Sequence, residues 1–154
     1  MTPRATHIRR LFLEAQPTYT VADAATLLGM KQRDVRGWME VGELEGVDTP
    51  EGVVLPWSEV MSFGMDFWSQ AVVEEALGAE LTEAIPELLR LAQLDVRIPR
   101  LEIAALERLA ARDGKSVDAV LARELLDLVS AHSEWLATEI PGFAAALAWP
   151  ELEG

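Results

Sequence analysis

Between Tyr19 and Leu44 the chain reads YTVADAATLLGMKQRDVRGWMEVGEL. Two short runs of apolar residues at helical spacing are separated there by one glycine, and this constrains the fold more than any other feature. Val21, Ala24, Ala25 and Leu28 recur at intervals of three and four, which predicts a helix. Thr20 can cap its first free amides and Asp23 can reach back to complete the cap. Gly29 ends the run, because glycine accepts the positive φ of a helix terminus. A second run follows, with Val35, Trp38 and Met39 on one side and Gln32, Arg33 and Arg36 on the other. Gly42 closes it. Neither run is long enough to be stable alone, so the two helices must share a core.

Two short helices joined by a tight glycine turn form a helix-turn-helix, in which the N-terminal polar residues of the second helix reach base edges in the major groove. Past Leu44, strand-like Leu44–Val47 and Val53–Leu55 flank a turn at Thr49-Pro50-Glu51-Gly52, and Pro56 opens a helix at Trp57. The stretch 18–62 resembles the winged helix-turn-helix of the MerR and excisionase families. The residues that carry the resemblance are Tyr19, Thr20, Val21, Ala24, Ala25, Leu27, Leu28, Gly29, Arg33, Val35, Arg36, Trp38, Gly42 and Leu44. It implies DNA contacts from Lys31, Gln32, Arg33 and Arg36. The chain departs from the family at Lys31, where a Ser or Thr cap is usual. Gly37 weakens the second helix by about 1 kcal/mol relative to alanine. Glu40, Glu43, Asp48 and Glu51 stand where basic residues are common, and an acidic wing weakens any grip on phosphate.

Charge is distributed unevenly along the chain. The net is −13 over 154 residues, yet residues 1–40 carry +2 and residues 41–154 carry −15. Only the first quarter attracts a phosphate backbone unaided. Arg4, Arg9 and Arg10, with His7, read either as a basic arm that adds to DNA binding or as a solvated terminus. The acidic remainder suits solubility, a dimer surface or a basic partner. The chain has no cysteine, which excludes disulfides and thiolate chemistry. His7 and His132 stand far apart, so no cofactor or metal is expected. No run of about 18 apolar residues occurs, so no membrane span is expected, and the N-terminus lacks the core of a signal peptide. The expectation is a soluble cytoplasmic protein.

Residues 56–77 read as one helix with two apolar sides: Val60, Phe63, Gly64, Phe67 and Ala71, and Trp57, Met61, Trp68 and Val72. A helix apolar on two sides must be covered on both. Gly78 and Thr82 mark a break, and residues 82–94 read as a connecting helix with Pro86 in its first turn.

Leu94-Asp95-Val96-Arg97-Ile98-Pro99 alternates like a short strand. Helices follow through Leu101–Ala110 and Val117–Val129, separated by Asp113-Gly114-Lys115-Ser116. With VRIPR and AARDGKSVDAVLARELL, the stretch 94–136 resembles the ribbon-helix-helix family of the Arc and CopG type. That resemblance implies an obligate dimer in which one strand from each chain pairs with the other. On the exposed side of such a ribbon Arg97 suits DNA contact, whereas Asp95 and Pro99 do not. Arg100 and the helix start at Lys115-Ser116 are further candidates. The tail ATEIPGFAAALAWPELEG, with Ile140, Phe143, Leu147 and Trp149, either packs back on the protein or fills a partner's groove.

No phosphate loop, nucleophile–base pair or His-carboxylate set is present at useful spacing, so an enzyme is not expected. The expected fold is mainly α with small β elements. A winged helix-turn-helix domain spans 1–77, a connecting helix 78–93, and a ribbon-helix-helix-like dimerisation module with its tail 94–154. The expected function is a homodimeric regulator of transcription on a palindromic or repeated DNA site, in the manner of an autorepressing antitoxin with a toxin partner. The alternatives are an excisionase-like architectural DNA-binding protein and an acidic interaction module that keeps the helix-turn-helix only as a scaffold.

Overall fold

The computed structural model describes residues 1–150. It is mainly helical, with one small three-stranded antiparallel sheet. Two compact units divide it. Among the described residues, one comprises residues 1–91 together with Trp149 and Pro150, the other residues 92–148.

In the first unit, α1 (Pro3–Leu13) is capped by Thr2, whose hydroxyl accepts from the Ala5 amide at 3.1 Å. Ile8, Leu11 and Phe12 are buried along one side. Residues 3–13 are therefore neither a loose arm nor a solvated terminus. A three-residue strand, β1 (Thr18–Thr20), runs into α2 (Val21–Leu28). After α3 (Gln32–Glu40) come β2 (Val47–Thr49) and β3 (Gly52–Pro56). The strand order is β1-β3-β2, with Tyr19 opposite Leu55 and Asp48 opposite Val53. The expected hairpin is present, but its first strand begins at Val47 rather than Leu44. Leu44 instead turns inward and is buried.

The expected single helix over 56–77 is two helices, α4 (Trp57–Trp68) and α5 (Gln70–Leu77). The break is Ser69, a non-glycine residue at φ 71°, whose hydroxyl caps α5 by accepting from Val72 at 3.5 Å. The bend brings Val73 and Leu77 into the core and anchors α5 on α1. Trp57 ties α4 to α1 as well, donating from its indole N–H to the Leu11 carbonyl at 2.8 Å. The expected connecting helix over 82–94 shortens to α6 (Leu81–Ala84) and a 3-10 turn at Glu87–Leu89. Pro86 is the reason, since it drives the preceding Ile85 out of the helical region to ψ 128°. Eighteen apolar residues, from Ile8 to Ile85, form one buried cluster.

In the second unit, residues 92–99 have no regular structure. The expected strand at 94–99 is thus absent from the single chain. A strand with no neighbour forms no ladder, and water can satisfy its exposed amides and carbonyls in an irregular conformation instead. The expected helices are present as α7 (Arg100–Asp113) and α8 (Val117–Ala131), with Gly114 at φ 65° and Ser116 capping α8. Two short helices not expected from the sequence, α9 (Ser133–Glu139) and α10 (Phe143–Ala148), follow. Trp149 belongs to the first unit, where its ring meets Trp57 edge-on at 6.1 Å. That much of the tail packs back on the protein. The last four residues of that tail lie outside the described ones.

Candidate nucleic-acid interface

The scaffold under α3 is built from small and branched apolar residues. Ala24, Ala25, Leu27 and Leu28 of α2 are buried, as is Val35 of α3. Alanines at two adjacent positions let the two helix backbones approach closely. Thr20 caps α2 by accepting the Asp23 amide at 3.1 Å, and Gly29 at φ 68° returns its amide to the last turn. Met30 then donates to Ala25 at 3.0 Å, which fixes the angle at which α3 departs.

At the start of α3 the Asp34 carboxylate accepts the Lys31 amide at 3.3 Å. Lysine has no side-chain acceptor, so this is half of a capping box. Asp34 also places negative charge at the positive end of the helix. Lys31, Gln32, Arg33 and Arg36 are all exposed. Arg33 stands 4.0 Å from Asp34, a loose and solvated pair that costs little to break. Among the described residues the side chains of Lys31, Gln32 and Arg36 make no hydrogen bond or ion pair, so their donors are available to a ligand. Gly37 is helical, and a Cβ there would meet nothing within 4 Å.

The hairpin beside α3 is fixed where it meets the helix. Gly46 is exposed, but a Cβ there would come within 2.5 Å of a Val53 methyl and 2.9 Å of the Met39 Cε, so those side chains occupy the space beside that glycine. The tip is held by the Thr49 hydroxyl, which donates to the Gly52 carbonyl at 2.6 Å. Asp48 and Glu51 are exposed there, and the hairpin tip presents carboxylates rather than cations.

The remaining basic candidates do not join this surface as one group. Arg9 is committed within the fold. It donates to the Ala76 and Leu77 carbonyls at 3.2 and 3.0 Å and pairs with Glu80 at 3.0 Å. These carbonyls are the open end of α5, so the guanidinium both satisfies them and complements the helix dipole. Hydrogen bonding to Arg9 holds the Glu80 carboxyl below its ordinary range, and Glu80 in turn raises the Arg9 guanidinium. The expectation of Arg9 as a DNA contact is therefore replaced by a structural role. Arg4 and Arg10 are exposed on α1, with Arg10 3.8 Å from Glu14. Arg97 is exposed in the irregular segment of the second unit. The signal for α1 itself lay in Thr2-Pro3, a cap followed by a proline at a helix start, ahead of Ile8, Leu11 and Phe12 at helical spacing.

Among the described residues no three His, Asp or Glu side chains converge to hold a metal, and no helix is long and apolar enough to cross a membrane. Comparison with family models, curated proteins and solved structures finds no match to the chain.

Proposed function

We propose that the protein is a sequence-specific DNA-binding regulator that acts as a homodimer. Residues 18–62 serve as a winged helix-turn-helix, with α3 as the helix that enters the major groove. One observation carries this reading. Lys31, Gln32, Arg33 and Arg36 stand exposed at the N-terminal half of a short helix whose opposite side is locked into the core by Val35. A rigid helix with unengaged donors at its leading end is what base reading requires. The acidic body and wing oppose phosphate, so one head binds weakly and two heads on one dimer supply the affinity. The proposed role is autorepression in a toxin–antitoxin pair.

The second unit supports the dimer. From Ala92 to Ala148 only Ala110 is buried, while Leu101 is 81% and Trp135 63% exposed. So much uncovered apolar surface calls for a partner, and we assign a second copy of this chain to it.

Selection from random duplexes, followed by a salt titration on the winner, tests the reading. It predicts one enriched motif with two half-sites and affinity that falls steeply with salt. Arg33→Ala or Arg36→Ala should cost roughly 1–3 kcal/mol of binding where the residue reads a base. A library with no enrichment at low salt would overturn the proposal.

A further inference from the structure

Three rings form a ladder on the surface of the first unit. Trp38 of α3 lies 5.4 Å from Phe63 of α4, and Phe63 lies 5.7 Å from Phe67, almost parallel at 17°. Below them Phe67 meets the buried Trp68 at 6.5 Å. The ladder is thus anchored in the core at its inner edge, but Trp38 is 40% and Phe67 51% exposed. The fold leaves both rings partly uncovered. Trp38 is five residues beyond Arg33, about 140° round the helix, and so does not share the direction of that side chain.

Along α4 and α5 the charge is all of one sign, whereas α3 brings Asp34 already paired with Arg33 at 4.0 Å. From Trp57 to Leu77 the chain carries Glu59, Asp66, Glu74 and Glu75 and no lysine or arginine. Glu59 and Asp66 fall one helical turn on either side of Phe63, and Asp34 falls one turn before Trp38. Glu59 accepts the Glu45 amide at 3.2 Å, and Glu74 accepts from Gln70 and Leu91, whereas Asp66 is exposed with no partner among the described residues. A phosphate backbone would be repelled here. A second copy laid ladder to ladder would oppose carboxylate to carboxylate. The chemistry that matches open ring faces edged by carboxylates is a flat, weakly hydrated cation, which stacks and donates at once.

We propose that the Trp38–Phe63–Phe67 ladder docks an arginine-bearing segment of a partner protein. Its guanidinium planes lie on Phe67 and Trp38, and its N–H groups reach Asp66. The inference does not depend on DNA binding by α3.

The test uses the full chain and two defined probes, hexa-arginine and hexa-lysine peptides, titrated while the Trp38 indole N–H is followed by NMR. Hexa-arginine should shift that signal and bind about tenfold more tightly than hexa-lysine, the margin that ring stacking adds to equal charge. Phe67→Ser should remove most of that margin with net charge and melting temperature unchanged. Equal binding of the two peptides, or a margin intact in Phe67→Ser, would mean that charge alone acts and would overturn the proposal. A fall in the oligomer mass of Phe67→Ser would also overturn it, by giving the ladder to a second copy.

Discussion

Residues 1–91 and residues 92–148 draw on the same kinds of apolar residue and end in opposite states. In the first, Leu11, Leu28, Leu55 and Leu77 are fully enclosed by elements far apart in sequence. In the second, Leu94 of the irregular segment, Leu101 of α7 and Leu126 and Leu128 of α8 are exposed. Apolar content does not by itself make a core. A core needs enough elements to surround it, and the first unit has a sheet and six helices where the second has four helices. The first unit thus encloses its apolar residues within one chain, and the second leaves most of its own exposed.

That contrast predicts very different costs for the same kind of truncation. Leu28→Ala, in the floor under α3, should destabilise the first unit by about 2–5 kcal/mol in urea unfolding. Leu101→Ser should leave unfolding of the isolated monomer within about 0.5 kcal/mol of the wild type. Its effect should fall instead on the dimer, abolishing the dependence of melting temperature on protein concentration. Equal losses for the two variants would erase the distinction between the units.

Two glycines of the first unit sharpen the comparison further. Gly64 is enclosed, and a Cβ there would stand 2.7 Å from the ring of buried Trp68. Gly64→Ala should therefore destabilise by about 1–3 kcal/mol through overpacking. Gly37 on α3 is open, so Gly37→Ala should stabilise by up to about 1 kcal/mol through helix propensity alone. Thermal unfolding of both variants should show shifts of opposite sign.

The smallest effect concerns pH. The Glu80 carboxyl is held low by Arg9, so the folded state binds a proton there less readily than the unfolded chain. Its stabilising contribution is present above the ordinary carboxylate range and is lost as pH falls through the depressed value. Glu80→Gln should lower the melting temperature at neutral pH, and the gap from wild type should close in acid. A gap that persists at low pH would assign the effect to packing.

The sequence was most legible where the chain marks its own boundaries. Thr20, Gly29, Gly114 and Ser116 each perform the capping their residue types imply, and the helices they bound are where periodicity places them. What was hidden is non-local or lacks a marker. β1 is only three residues long and exists because Tyr19 finds Leu55 across the sheet. The bend at Ser69 uses neither glycine nor proline, so an uninterrupted apolar pattern concealed it. Ile85 and Pro86 did carry a marker, and it outweighs the helical pattern on either side. Of the candidate site, Lys31, Gln32, Arg33 and Arg36 share one exposed helix start as the spacing implies. Arg9 could not be placed by spacing, because its partners at Ala76, Leu77 and Glu80 are distant in the chain.

The proposed dimer joins two copies through the exposed apolar residues of the second unit. Light scattering on the full chain at micromolar concentration, without DNA, tests it most directly. The account predicts a mass of twice the 16.9 kDa chain, falling to a single chain in Leu101→Ser. A wild-type protein that stays at the mass of one chain would contradict it.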